Sequence, residues 1–231
     1  MTNDKSDFTQ GNILKKLVSF MMPILGALIL QAAYGAVDLL GCWEGLASTA
    51  GRFCSFYRQP GLKPGYFVVV QFAMGITVLI ARYLGERRPE KIGAVIGGGA
   101  IVFTMISAVL FVIMVAFAHP ISVLMQAPES AVSLTSSYVR ICGGGIFFIV
   151  AYNLLSAIFR GLGDSKSPLL FVLVACIVNV IGDLVLVAGL HMDAAGAAIA
   201  TVAAQALSVV FALILLVKNE TSLRSQKKTS G

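Results

Sequence analysis

The chain has 231 residues, of which 58% are hydrophobic and only 12% charged. A soluble domain carries about 25% charged residues, and here the apolar residues come in long runs, which excludes a soluble globular core. The net charge of +6 does not point to a nucleic-acid partner, because the basic residues cluster between apolar runs, the topology signal of a polytopic membrane protein.

In chain order, residues 1–13 read as a polar cytoplasmic N-terminus with no cleavable signal peptide, since no small-residue cleavage site follows the first apolar run. Six spans follow between residues 14 and 217, giving an all-α, six-helix transmembrane bundle. They are expected at 17–40, 67–83, 92–118, 135–159, 168–190 and 194–217, each near the ~20 residues that cross a bilayer. Pro23 predicts a mild kink in the first span. The glycine triplets 97–99 and 143–145 permit close packing or local bending. Residues 218–231 form a basic tail expected in the cytoplasm.

Placing the N-terminus in the cytoplasm puts thirteen of the seventeen Lys and Arg residues on the inside and leaves the loops 119–134 and 191–193 with none. That asymmetry predicts N-in, C-in topology in a cell membrane, plasma or inner. Arg140, near the outer end of the fourth span, can snorkel to the interface.

Residues 41–66 break the pattern. The stretch is basic and aromatic, is interrupted by Pro60 and Pro64, and holds the single Trp and two of the four cysteines. It reads either as a shifted reading frame or as a divergent loop. One permitted codon choice for residues 53–66, begun one base later, translates as SAASTGSQVLNPVT and runs into Phe67 as a plausible helix start.

The chemistry-bearing residues are few. Cys142 and Cys176 lie in apolar runs and read as packing residues, and the four cysteines lack metal-ligand spacing. His119 and His191 sit at outer span ends as solvated interface residues. No Ser/His/Asp or Cys/His arrangement stands out, so no enzyme is expected. Residues 159–168 lack a phosphate-loop signature and read as a tight turn, with Ser167 as N-cap and Pro168 at the first helical position.

Of eleven acidic residues, only Asp38 and Asp183 fall within predicted spans. An Asp near the centre of a membrane helix costs about 2.5–3.5 kcal/mol on insertion scales, so such residues are functional candidates by default. Asn179 shares a helix face with Asp183, four residues away. Asp38, Asp183 and Thr201 all fall in the outer half of their spans. Two carboxylates, an amide and a hydroxyl make an all-oxygen set suited to Na⁺ or to a shared proton. Interhelical hydrogen bonding alone is the competing reading.

These residues resemble the N-terminal lobe of the MATE (multidrug and toxic compound extrusion) transporters. The resemblance rests on residues 23–25 (PIL) through 34–38 (YGAVD), 71–75 (QFAMG), 82–85 (RYLG), 160–164 (RGLGD) and 179–183 (NVIGD). It covers nearly everything except residues 41–66 and the tail after Lys218. It implies one lobe of a twelve-helix antiporter that exports organic cations or drugs against Na⁺ or H⁺, with no other cofactor. The cation-coupling residues it implies are Asp38, Asn153, Asn179, Asp183 and Thr201, with Na⁺ at Asp38, Asn179, Asp183 and Thr201. Gln31 and Tyr34 are implied as cavity residues. Cation binding would bend or shift the first helix and expel substrate. The expected partners are the lipid bilayer, small organic cations or drugs, and either a C-terminal lobe or a second copy of the chain. The alternatives are an inert remnant of such a transporter and a six-helix half-transporter or channel working as a homodimer.

Overall fold

The structure, a computed structural model, describes residues 13–43, 64–124, 129, 132–190 and 192–229, with side chains described except at 31–43, 64–67, 89, 188, 193 and 218–229. The expected irregularity at 41–66 therefore lies largely outside the described residues. Among those described, the regular elements are all helical: α1 (Ile13–Trp43), α2 (Pro64–Gly85), α3 (Pro89–Ala116), α4 (Ala118–Leu124), α5 (Val132–Gly144), α6 (Ile146–Gly161), α7 (Lys166–Asp183), a π-helical segment (Leu184–Gly189) and α8 (Asp193–Thr229).

Five helices are each long and apolar enough to cross a membrane, and α5 with α6 makes a sixth span bent by 57°. The expected count holds if that bent pair is one span, but its expected continuity over 135–159 does not. The break falls at Gly145. A Cβ there would collide with Val202 of α8, and one at Gly143 would lie 2.8 Å from Met114 Cβ. The triplet thus permits both close approach and the bend. The first triplet works differently: Gly97 and Gly98 meet no neighbour, whereas Gly99 seats Ile76. Two further boundaries move outward. The second span starts at Pro64 rather than 67, and α8 continues through the basic tail to Thr229.

Two apolar clusters meet on α6. Ile146, Val150, Ala157 and Ile158 face Val69, Ala73, Ile76 and Ile80 of α2 and Phe103 of α3. On the other side, Tyr152, Leu155 and Phe159 face Phe171 and Val172 of α7 and Val209 and Ala212 of α8, with Ala27 and Leu30 of α1 against the same cluster. A third cluster joins Tyr138 and Cys142 of α5 to Ala194 and Ala198 of α8. By contrast, Leu17, Met21, Met22, Leu25, Leu28 and Ile29 of α1 are exposed. An apolar exterior of this kind suits lipid or a second protein surface.

The α6–α7 turn corrects the expected cap. Helix α7 begins at Lys166, two residues before Pro168, and its N-cap residue Ser165 makes no side-chain cap bond. Asp164 does that work: its Oδ1 accepts from the amides of Lys166 (3.0 Å) and Ser167 (3.1 Å). A carboxylate is the stronger acceptor for the orphan donors of a first turn, and its charge suits the helix N-terminus. Gly163 takes the left-handed conformation (φ 84°) that the turn needs. Gly161 brings α6 onto α2, since a Cβ there would lie 2.8 Å from Ile80 Cβ. Replacing Asp164 by Ala should lower stability by about 1–2 kcal/mol, measured as a fall in thermal midpoint in detergent, with Asp164→Asn recovering part of it.

The α2–α3 turn is a surface feature. Arg82 Nε donates to Glu86 Oε1 at 2.8 Å, and this bond, with Arg82, Arg88 and Lys91 nearby, holds the Glu86 carboxyl below its ordinary value. Its stabilisation is present above the ordinary carboxylate range and is lost as pH falls through the lowered value. Solvent exposure of the pair keeps it small.

Candidate functional site

The site begins with how closely α7 and α8 approach. A Cβ on Gly182 would lie 2.8 Å from Ala200 Cβ and 3.3 Å from its Cα. Only a glycine allows that contact. On the far side of α8, Val202 occupies the notch at Gly145. The two chain neighbours of Thr201 are therefore each seated in a glycine notch, one on α7 and one at the α5–α6 break.

That clamp sets the polar contact between the helices. Asn179 Nδ2 donates to Thr201 Oγ1 at 3.3 Å, and Thr201 Oγ1 donates to the Ala197 carbonyl at 2.9 Å. Asn179 is 3% exposed, so its amide is held away from solvent, where an unmet polar group is costly. Asp183, half-buried, is the last α-helical residue of α7, one turn beyond Asn179.

The helix then loosens into the π-helical segment, in which Leu190 N–H bonds to Val185 O at 3.0 Å. This segment also packs tightly on α8: a Cβ on Gly196 would lie 3.2 Å from the Leu186 carbonyl carbon. π-Helical turns are rare and frequent at functional sites.

Asn153 is buried on α6, but its Nδ2 donates to Ile149 O of its own helix at 2.7 Å. Gln31, Tyr34 and Asp38 lie on α1, with side chains outside the described residues. Their helix does pack on α7, with Leu169 Cδ1 3.7 Å from the Cβ position of Gly26. Alternation of the spans makes α1 and α7 parallel. Residue 38 lies twelve residues beyond that contact, about 18 Å of rise, and so its backbone is level with the 179–183 turn. His119 and Arg140 are exposed; His191 lies outside the described residues. Cys142 is buried and Cys176 half-buried, and neither is joined in a disulfide among the described residues.

Residues 59–185 match the MatE family, a stretch that includes α2 through the Asn179–Asp183 turn. The chain belongs to the MatE family. As a MatE chain with several apolar helices it is a multi-pass membrane protein of a transporter family. It is similar to the probable multidrug resistance protein YpnP of Bacillus subtilis (strain 168), 28% identical over 218 residues that cover 93% of this chain and 48% of that one. It is also similar to the multidrug export protein MepA of Staphylococcus haemolyticus (strain JCSC1435), 24% identical over 93% of this chain and 47% of the relative. Among solved structures, the outward-facing conformation of a multidrug resistance MATE family transporter of the MOP superfamily superposes with TM-score 0.80 at 23% identity, over 94% of this chain and 48% of that one. The MatE chain spans about half the length of the curated relatives it matches.

Sequence reasoning passed over the glycine notches as functional parts, because Gly145 and Gly182 carry no chemistry themselves and their value lies in Val202 and Ala200 on a distant helix. Thr77 was also missed. Its Oγ1 donates to Ala157 O at 3.1 Å across the α2–α6 contact, and only a partner 80 residues away reveals that role.

Proposed function

We propose that this MatE chain is one six-helix lobe of a multidrug antiporter that couples export of organic cations or drugs to entry of Na⁺ or H⁺. The observation that carries the reading is the contact between buried Asn179 and Thr201, one turn from Asp183, in the membrane-spanning part of the α7–α8 pair. Asp183 supplies the charge that attracts the coupling cation, and Asn179 and Thr201 supply neutral oxygens suited to a hard ion. Asp38, on the helix level with that turn, is the second carboxylate, and Asn153 completes the set from α6. Gln31 and Tyr34 of α1 serve as drug-cavity residues. The chain lies in the plasma or inner membrane with both ends in the cytoplasm.

Cation occupancy favours one arrangement of α1 against α7, and the vacated arrangement admits drug. Reciprocal preference of this kind is what coupling requires. The second wall of the drug cavity comes from another six-helix lobe, in a longer chain or a second copy, and the exposed apolar face of α1 is a surface available to it. Crosslinking through α1 that traps only monomers would exclude the second copy.

The test is Asp183→Asn in the full two-lobe context. Drug efflux driven by a cation gradient should fall at least about tenfold, the effect of losing one interaction worth about 1.4 kcal/mol. Unchanged drug resistance at equal expression would refute the assignment.

A further inference from the structure

Helices α2 and α3 meet at a basic turn that the cation site does not use. The apolar span on α2 ends at Gly85 and the one on α3 begins at Glu90, so only residues 86–89 lie between them. Charged side chains on so short a connection stay at headgroup depth. From Arg82 to Lys91 the exposed charges are four basic, Arg82, Arg87, Arg88 and Lys91, and two acidic, Glu86 and Glu90.

The backbone of this turn disfavours the residue it carries. Arg88 N–H bonds to Tyr83 O at 3.0 Å and Arg87 N–H to Leu84 O at 3.1 Å, the two bonds of a Schellman cap. The cap puts Arg87 in the left-handed region (φ 56°), at the position glycine usually fills. Among the described residues no other non-glycine has a positive φ. Glycine would form the same cap with less strain, so an arginine there points to a use for its side chain.

The neighbouring side chains are held in place. Glu86 Oε1 accepts from Arg82 Nε at 2.8 Å, and its Oε2 lies 3.8 Å from Arg88 Nη1, so two guanidinium groups share one carboxylate. Lys91 Nζ stands 5.5 Å from the centroid of the Tyr83 ring. Among the described residues neither Arg87 nor Lys91 is ion-paired. The turn therefore keeps an excess of positive charge, and guanidinium forks match the oxygens of a phosphate.

We propose that the α2–α3 turn binds the phosphate headgroup of an anionic phospholipid, with Arg87, Arg88 and Lys91 as its cationic ligands. Depth favours a lipid over a soluble anion, because both neighbouring spans enter the hydrocarbon within a residue or two of the turn. Val102 and Met105 share the Lys91 face of α3 and are exposed, which leaves an apolar surface for acyl chains. The site stands whether or not Asp183 binds a cation.

The test titrates the 231-residue chain in neutral detergent with phosphatidylglycerol and, separately, with zwitterionic phosphatidylcholine, counting bound lipids by native mass spectrometry. Phosphatidylglycerol should bind at least about fivefold more tightly. Arg87→Gly should lower its affinity about fivefold, the contribution of one basic side chain near an anionic membrane surface. Arg87→Gly/Arg88→Gln should bring it to the level of phosphatidylcholine. The lipid-free thermal midpoint of Arg87→Gly should stay level or rise, since glycine fits the left-handed position. A fall would show that the arginine serves the fold and would overturn the site. So would equal binding of the two lipids by the wild-type chain, or a preference that survives the double variant. Complete displacement of phosphatidylglycerol by millimolar inorganic phosphate would assign the turn to a soluble anion and overturn the lipid.

Discussion

Replacing Gly182 by alanine should push α7 away from α8 and weaken cation binding, and the further change Ala200→Gly should restore it. Two effects compete in the single variant. Alanine improves helix propensity over glycine by about 1 kcal/mol, while the new Cβ, 2.8 Å from Ala200 Cβ, overpacks a tight contact at about 1–3 kcal/mol. Overpacking wins at the upper end of that range, and the loss appears first in function. The Asn179–Thr201 bond is already 3.3 Å long, near the limit of a useful hydrogen bond, so a shift of a few tenths of an ångström removes it. Ala200→Gly in the same chain moves the missing methyl to the other side of the contact. A thermal-melting and cation-binding cycle over the four proteins should give a coupling of about 0.5–3 kcal/mol. A double variant no better than Gly182→Ala would show that the notch does not set the contact.

Much of this molecule is legible in its sequence, and what is not has identifiable physical causes. Long apolar runs bounded by basic residues reveal the membrane helices, because a bilayer demands length and apolarity from each segment alone. Asn179 and Asp183 stand out for the same reason: polar groups in such a setting are costly and therefore few. The 57° bend at Gly145 was not legible, because a glycine triplet permits packing and bending alike and the outcome depends on Val202, 57 residues further on. The shift of the α7 start to Lys166 turned on whether Asp164 or Ser167 captured the first-turn amides, a choice decided by the fold-back at Gly163. The π-helical turn after Asp183 has no local signature at all. Its Leu186 packs on Gly196 of α8, a contact made only in the folded chain.

The second large effect concerns Asp183 itself. Its position joins three features that seldom coincide: an acidic side chain in a membrane helix, a buried Asn–Thr contact one turn away, and a π-helical segment beginning at the next residue. If the carboxyl serves as the cation's counter-charge, Asn179 and Thr201 matter as neutral ligands and should be less critical than Asp183. Asn179→Leu and Thr201→Val should each weaken cation binding by about tenfold, equivalent to about 1.4 kcal/mol, whereas Asp183→Asn should eliminate it. The neutral amide keeps nearly the same shape, so loss of binding without loss of fold isolates the charge. Equal effects from all three changes would point to packing instead.

The most direct measurement is infrared difference spectroscopy of the reconstituted chain, following the carboxyl stretch of protonated buried acids as pH is raised or Na⁺ is added. The wild-type chain should lose a buried-carboxyl band on either pH rise or Na⁺ addition, and the component due to Asp183 should be absent from Asp183→Asn. A band unchanged in position, amplitude and titration in Asp183→Asn would contradict the cation-site assignment.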